Sequence, residues 1–199
     1  SSDVSWDEIY QAFQCLTSEG VRIDDGDLAA IAYSAGDFSE AVKLWERSGN
    51  IGRTEYNYAK AYITPFPKNI IWYDRLGEDE EVLRLWQQHP LKTEKIESLD
   101  NRILHAVADA ALLKGNLKVA ATVLDARPDR QRVLNLLKAA ISVNDISLIT
   151  SAAKASARLF VRTQDWDAAL SAAEGDFSEL HEIDNSDLRF MLSKTGNTP

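Results

Sequence analysis

The strongest constraint on this chain is a break that recurs along it. Gly36-Asp37, Gly77-Glu78, Gly115-Asn116, Asn144-Asp145, Gln164-Asp165 and Gly175-Asp176 each set a residue able to end a helix beside one able to begin the next. Glycine reaches the left-handed conformation just past a helix end without a Cβ penalty, and Asn tolerates it next best. An Asp or Asn that follows offers a side-chain oxygen to the free amides of a new first turn. Between the breaks, apolar residues recur three and four apart, as in Leu28, Ile31, Ala32 and Ala35, or Leu113, Leu117, Ala120, Ala121 and Leu124. That is the period of a helix with one buried face. No alternating β-branched or aromatic run closed by a two-residue turn persists. The pattern predicts an all-α chain of about nine helices, with antiparallel helices flanking each tight corner.

Superposing the corners exposes a degenerate repeat. Gly36 on Gly77 brings Val42 onto Leu83, Leu44 onto Leu85 and Trp45 onto Trp86. Gly36 on Gly115 brings Ala41 onto Ala120, Leu44 onto Val123 and Trp45 onto Leu124, and 165-DWDAALSAAE-174 repeats the aromatic and the alanines. The spacings between the first five corners are 41, 38, 29 and 20, so the period drifts. A helical hairpin alone buries one face, and neighbouring hairpins must cover the other. Drift then predicts an irregular stack of antiparallel hairpins of unequal length, with Trp45 and Trp86 wedged between units and Ala41 and Ala120 where backbones approach closely. The expected organisation is one domain over 1–199, or a piece of a longer stack, with sub-units 1–50, 51–90, 91–143 and 144–199.

The stretch 29-AAIAYSAGDFSEAVKLWERSGN-50 carries a resemblance. Small and aromatic residues in a first helix, a Gly-Asp corner, then an aromatic, an alanine and an aromatic resemble a tetratricopeptide-like hairpin. The pattern is also similar to the degenerate hairpins of long solenoids in vesicle-coat and transport assemblies. It covers about half the chain, around residues 28–49, 72–88, 108–128 and 158–174. The resemblance implies an α-solenoid that serves as a protein-binding scaffold.

Composition narrows the class further. No run approaches the roughly 18 apolar residues of a membrane helix, so membrane insertion is not expected. No secretory signal is visible, and an opening on Ser-Ser without Met fits a processed or excised piece. The single cysteine, Cys15, excludes an internal disulfide and fits a reducing, cytoplasmic compartment. Its place in the apolar run IYQAFQCL predicts a small core residue. Charge is uneven: residues 1–101 carry 10 basic and 19 acidic side chains, 102–162 carry 10 and 4, and 163–199 carry 2 and 8.

Catalytic chemistry finds no foothold, and no enzyme activity, metal or cofactor is expected. His89, His105 and His181 stand far apart, without a second His or Cys at ligand spacing. The acidic run 24-DDGD-27 lacks the Glu a calcium loop needs at its twelfth position, which is Ala35, so Asp27 is expected to cap a helix. Neither a glycine-rich phosphate loop nor a nucleophile elbow occurs. Acidic pairs such as Glu78 and Glu81 read as solvated first turns favoured by the helix dipole.

Two features stand above background, both as candidate partner-binding residues. In 56-YNYAKAYITPFP-67, Tyr58 and Tyr62 share one helical face while Tyr56, Ala59 and Ile63 share another, with Trp72 and Tyr73 just beyond. Such a helix is either sandwiched between neighbours or offers an aromatic surface to a partner peptide. The second feature is basic: Arg127, Arg130, Arg132 and Lys138 around a helix predicted after Pro128, with Val133, Leu136, Leu137 and Ala140 facing the core. Cations at a helix start oppose its dipole. Either a neighbouring hairpin's acids, a second copy of the chain, or an acidic or phosphate-bearing partner is expected to hold them there.

The expected function is a non-enzymatic scaffold or adaptor module of a larger protein or assembly, binding protein partners or other subunits and open to self-association. The alternative is an RNA- or anion-binding helical module using residues 102–162. Nucleic acid is the weaker expectation, since a single-strand groove interleaves aromatics with its cations and Phe160 is the lone aromatic there.

Overall fold

The computed structural model describes residues 4–91, 93–145, 147–152, 155 and 159. The corners at Gln164-Asp165 and Gly175-Asp176, the 165–174 repeat, Phe160 and His181 lie outside them. Among the described residues every regular element is helical. The elements are α1 (Trp6–Ser18), α2 (Asp25–Ser34), α3 (Phe38–Ser48), α4 (Thr54–Ile63), α5 (Ile70–Arg75), α6 (Asp79–Gln88), α7 (Thr93–Glu97), α8 (Asn101–Leu113), α9 (Leu117–Ala126) and α10 (Arg130–Ser142). Residues 147–152 are helical too. This exceeds the expected number because α5 and α7 are short helices opened without a glycine corner. None of the described helices is long and apolar enough to cross a membrane.

The corners work by one device. Gly36, Gly77 and Gly115 have φ of 83°, 71° and 70°, and Asn144 has 51°. Each following residue donates its amide to the carbonyl five positions back: Asp37 to Ala32 at 2.9 Å, Glu78 to Tyr73 at 3.0 Å, Asn116 to Ala111 at 2.8 Å and Asp145 to Ala140 at 3.3 Å. Three of these residues then turn a side-chain oxygen onto the next helix, where Asp37 accepts from the Glu40 amide, Asn116 from Val119 and Asp145 from Leu148. One residue thus closes a helix with its backbone and opens another with its side chain. A Cβ at Gly36 would meet nothing within 4 Å, so the glycine serves the backbone angle rather than space. At α2 the expected cap moves: Asp24, not Asp27, accepts from the Gly26 and Asp27 amides. Asp24 is the residue with extended backbone angles, which aim its carboxylate back at the first turn.

The chain divides into two compact units, Ser1–Glu81 and Val82–Pro199. Within the first, α1 packs on α2, α2 on α3, α3 on α4 and α4 on α5. Its core joins Ala29 and Ala32 of α2, Ala41, Val42, Leu44 and Trp45 of α3, and Tyr56 and Ala59 of α4. Ala41 and Ala59 are wholly buried, which lets the helices carrying them approach closely. α4 stops because Thr64, which precedes Pro65, is driven to extended angles.

Cys15 is exposed, against expectation. It lies five residues from Tyr10, the buried residue of α1, and so about 140° round the helix from the face that packs on α2. The apolar run around it overstates how much of an outer helix is covered. Tyr10 donates its hydroxyl to Asp37 at 3.2 Å, tying α1 to the first corner.

Within the second unit α8 packs on α9, and α10 on both. Val133, Leu136, Leu137 and Ala140 of α10 face inward as their spacing predicts, together with Leu104 and Val107 of α8 and Ala120, Val123 and Leu124 of α9. Leu113 departs from the stripe assigned to it. It ends α8 while Leu117 begins α9, so the two never share a helical face, and Leu113 is exposed.

Candidate functional site

Aromatic rings form a continuous series through the first unit. Trp72 of α5 meets Tyr56 of α4 edge-on at 5.8 Å, and Tyr56 meets Trp45 of α3 at 6.4 Å. Trp45 then meets Tyr33 of α2 at 5.7 Å, Tyr33 meets Phe38 at 5.3 Å, and Phe38 meets Tyr62 in a T-shaped pair at 4.7 Å. Trp45 on α3 touches rings from both α2 and α4. The three T-shaped pairs, Trp72–Tyr56, Tyr56–Trp45 and Phe38–Tyr62, each add about 0.5–1.5 kcal/mol beyond the area they bury.

The inner end of the series is covered by cations. Arg75 lies over Trp72 at 4.6 Å, Lys60 over Trp72 at 5.3 Å and over Tyr56 at 5.9 Å, and Arg53 over Trp45 at 6.0 Å. Glu46 binds the group together, accepting from the Tyr56 hydroxyl at 2.9 Å and from Lys60 Nζ at 3.3 Å on the same oxygen. Burial, with the Glu46 carboxylate beside it, pushes the Tyr56 phenol up to about 12. The Tyr56 hydroxyl, then Lys60, hold Glu46 below the usual carboxylate range.

A folded-state value raised above the ordinary 10.0 favours the neutral phenol, so this stabilisation is complete below that pH and is lost as pH rises toward about 12. The urea midpoint of the first unit is therefore expected to fall faster across that window in the wild type than in Tyr56→Phe. Parallel pH profiles for the two proteins would refute the coupling.

The outer end is different. Tyr62 is 72% exposed and Tyr58, one turn before it, 39%. The two faces of α4 therefore divide: Tyr56 and Ala59 are buried, though Ile63, grouped with them by spacing, is 37% exposed, and Tyr58 and Tyr62 lie on the surface with Phe38 against the Tyr62 ring. Tyr58 donates its hydroxyl to Glu78 at 2.8 Å. Glu78 stands at the corner where the other three carry Asp or Asn. Trp72 belongs to the cation-covered end, and Tyr73 is half-buried, its carbonyl closing α5. Sequence reasoning missed Phe38 and Glu78 as members of this surface. Phe38 reads as a repeat position and Glu78 as a solvated helix start.

The basic residues do not form one open patch. Arg127 reaches back to the start of α8, donating to Asn101 Oδ1 at 2.7 Å and to the Leu99 and Glu97 carbonyls. Arg132 grips Asp109 of α8 through two nitrogens at 2.8 and 2.7 Å and adds Asp129 at 3.3 Å. Of the holders expected for these cations at a helix start, a neighbouring helix is the one found for Arg132. Arg130 and Lys138 are exposed.

Of the acids in 24–27, Asp24 caps α2, Asp25 receives Arg47 at 2.6 and 2.7 Å, and Asp27 is exposed. Among the described residues no group of three or more His, Cys, Asp or Glu is placed to hold a metal ion. No protein-family model, curated protein or solved structure matches the chain.

Proposed function

We propose that this chain is a non-enzymatic protein-interaction module, the scaffold or adaptor part of a larger protein or assembly. Its helices are read as an irregular stack of tetratricopeptide-like hairpins. The sequential packing of α1 through α5, the α2–α3 and α8–α9 corners and the wedge position of Trp45 support that reading. The observation that carries the function is the exposed Tyr58–Tyr62 surface over Phe38. Tyrosines are favoured where proteins grip each other, because a rigid ring buries much area at little entropic cost. The anion-binding alternative loses support, since Arg127 and Arg132 already answer to Asn101, backbone carbonyls and Asp109.

Affinity capture from native extract with the wild type and with Tyr62→Ser tests the proposal. Hot-spot truncation costs about 2 kcal/mol or more, so affinity for a bound partner should drop roughly thirtyfold or further in the variant. Equal recovery by both proteins, with the helical spectrum unchanged, would remove this surface as the binding face.

A further inference from the structure

We infer that the Tyr58–Glu78–Tyr62 surface receives a lysine or arginine side chain from a basic peptide segment of a protein partner. The inference rests on the interaction reading above and names the chemistry of the partner. Its basis is a comparison within α4. On the covered face, Tyr56 donates to Glu46, and Lys60, one turn on, lies over the Tyr56 ring and bonds the same carboxylate. On the open face, Tyr58 donates to Glu78 in the same way, but the residue one turn on is Tyr62. The tyrosine and the carboxylate are repeated and the cation is replaced by a second ring.

Among the described residues, cations lie over Trp45, Tyr56 and Trp72 and none lies over Phe38, Tyr58 or Tyr62. A carboxylate has about four acceptor positions, so the single bond from Tyr58 leaves Glu78 able to take an ammonium or guanidinium. The surroundings favour that charge. The first unit carries seven basic and sixteen acidic side chains, a formal −9. Asp79, Glu80 and Glu81 follow Glu78 directly at the start of α6. A cation docked between two rings and a carboxylate would restore outside the chain the arrangement that Lys60 completes within it.

The test uses the full chain and fluorescein-labelled peptides of about 12 residues in which Lys and Arg alternate with Ser, with a Gln-for-cation version of the same length as control. Anisotropy should report binding of the basic peptide that weakens as salt rises from about 50 to about 300 mM, because exposed charges are screened. Tyr62→Ala and Glu78→Gln should each weaken it roughly five- to tenfold, the range of one partly exposed cation–aromatic contact or ion pair. Asp27→Asn, which removes an exposed charge from α2 in the same unit, should change it less than about twofold.

An equal loss in Asp27→Asn would mean general attraction to an acidic unit and would overturn the site. Binding of the Gln peptide as tight as that of the basic one would overturn it too, as would a homodimer that disappears in Tyr62→Ala. If basic peptides fail to bind while a captured partner still depends on Tyr62, the cation site falls and the interaction reading stands. If capture is also independent of Tyr62, both fall.

Discussion

Trp45→Ala is expected to lower the unfolding free energy of the first unit by about 3–5 kcal/mol, measured by urea titration of the helical signal at 222 nm. The indole is 1% exposed and touches rings on the helices before and after its own, so truncation empties a space that two neighbours border. Trp45→Phe separates packing from polarity. The Trp45 Nε1 is buried without a hydrogen-bond partner in the described structure. Removing an unsatisfied donor offsets part of the lost volume, so the phenylalanine variant should cost only about 1–2 kcal/mol. A wild-type urea midpoint in Trp45→Ala would show that the ring is not interior and would dissolve the aromatic series built around it.

The second large effect is expected at the position the corner alignment equates with Trp45. Leu124 is 1% exposed on α9, in the unit where α8, α9 and α10 pack on one another. Leu124→Ala should cost about 2–5 kcal/mol, the range depending on how far the three helices can close on the cavity. Leu113→Ala is the matched control. The same deletion at a side chain 72% exposed should stay within about 0.5 kcal/mol of the wild type. Equal losses at the two positions would mean that the burial pattern of the second unit is wrong.

How much of this was legible in the sequence depends on the range of the physics involved. The corners were readable because a positive φ at Gly36, Gly77, Gly115 or Asn144 and a capping oxygen at the next residue are local requirements. The inward face of α10 was readable because Val133, Leu136, Leu137 and Ala140 keep helical spacing. What sequence pattern cannot supply is which of two similar faces a neighbour covers. Tyr56 and Tyr58 differ by two positions and are both tyrosines, yet one is packed against Trp45 and Trp72 and the other meets solvent. Cys15 and Leu113 were misplaced for the same reason: an apolar run marks a helix without saying where its cover ends.

Long-range pairs were the other gap. Arg132 is anchored by Asp109, 23 residues away, and Tyr58 by Glu78, 20 away, and no local spacing announces either. The consequence for function is specific. The corner glycines and the buried Trp45 belong to the helical framework, while the surface proposed to bind arises where one corner carries Glu78 instead of a short capping residue and one helix turn carries Tyr62 instead of a lysine.

The most direct measurement places a photo-crosslinking phenylalanine analogue at position 62 and, separately, at position 113, and irradiates each protein in native extract. Position 62 should trap a discrete protein partner, and position 113, equally exposed and on the other unit, should not. A partner trapped at 113 and absent at 62 would contradict the assignment of the Tyr58–Tyr62 surface as the place where this chain binds.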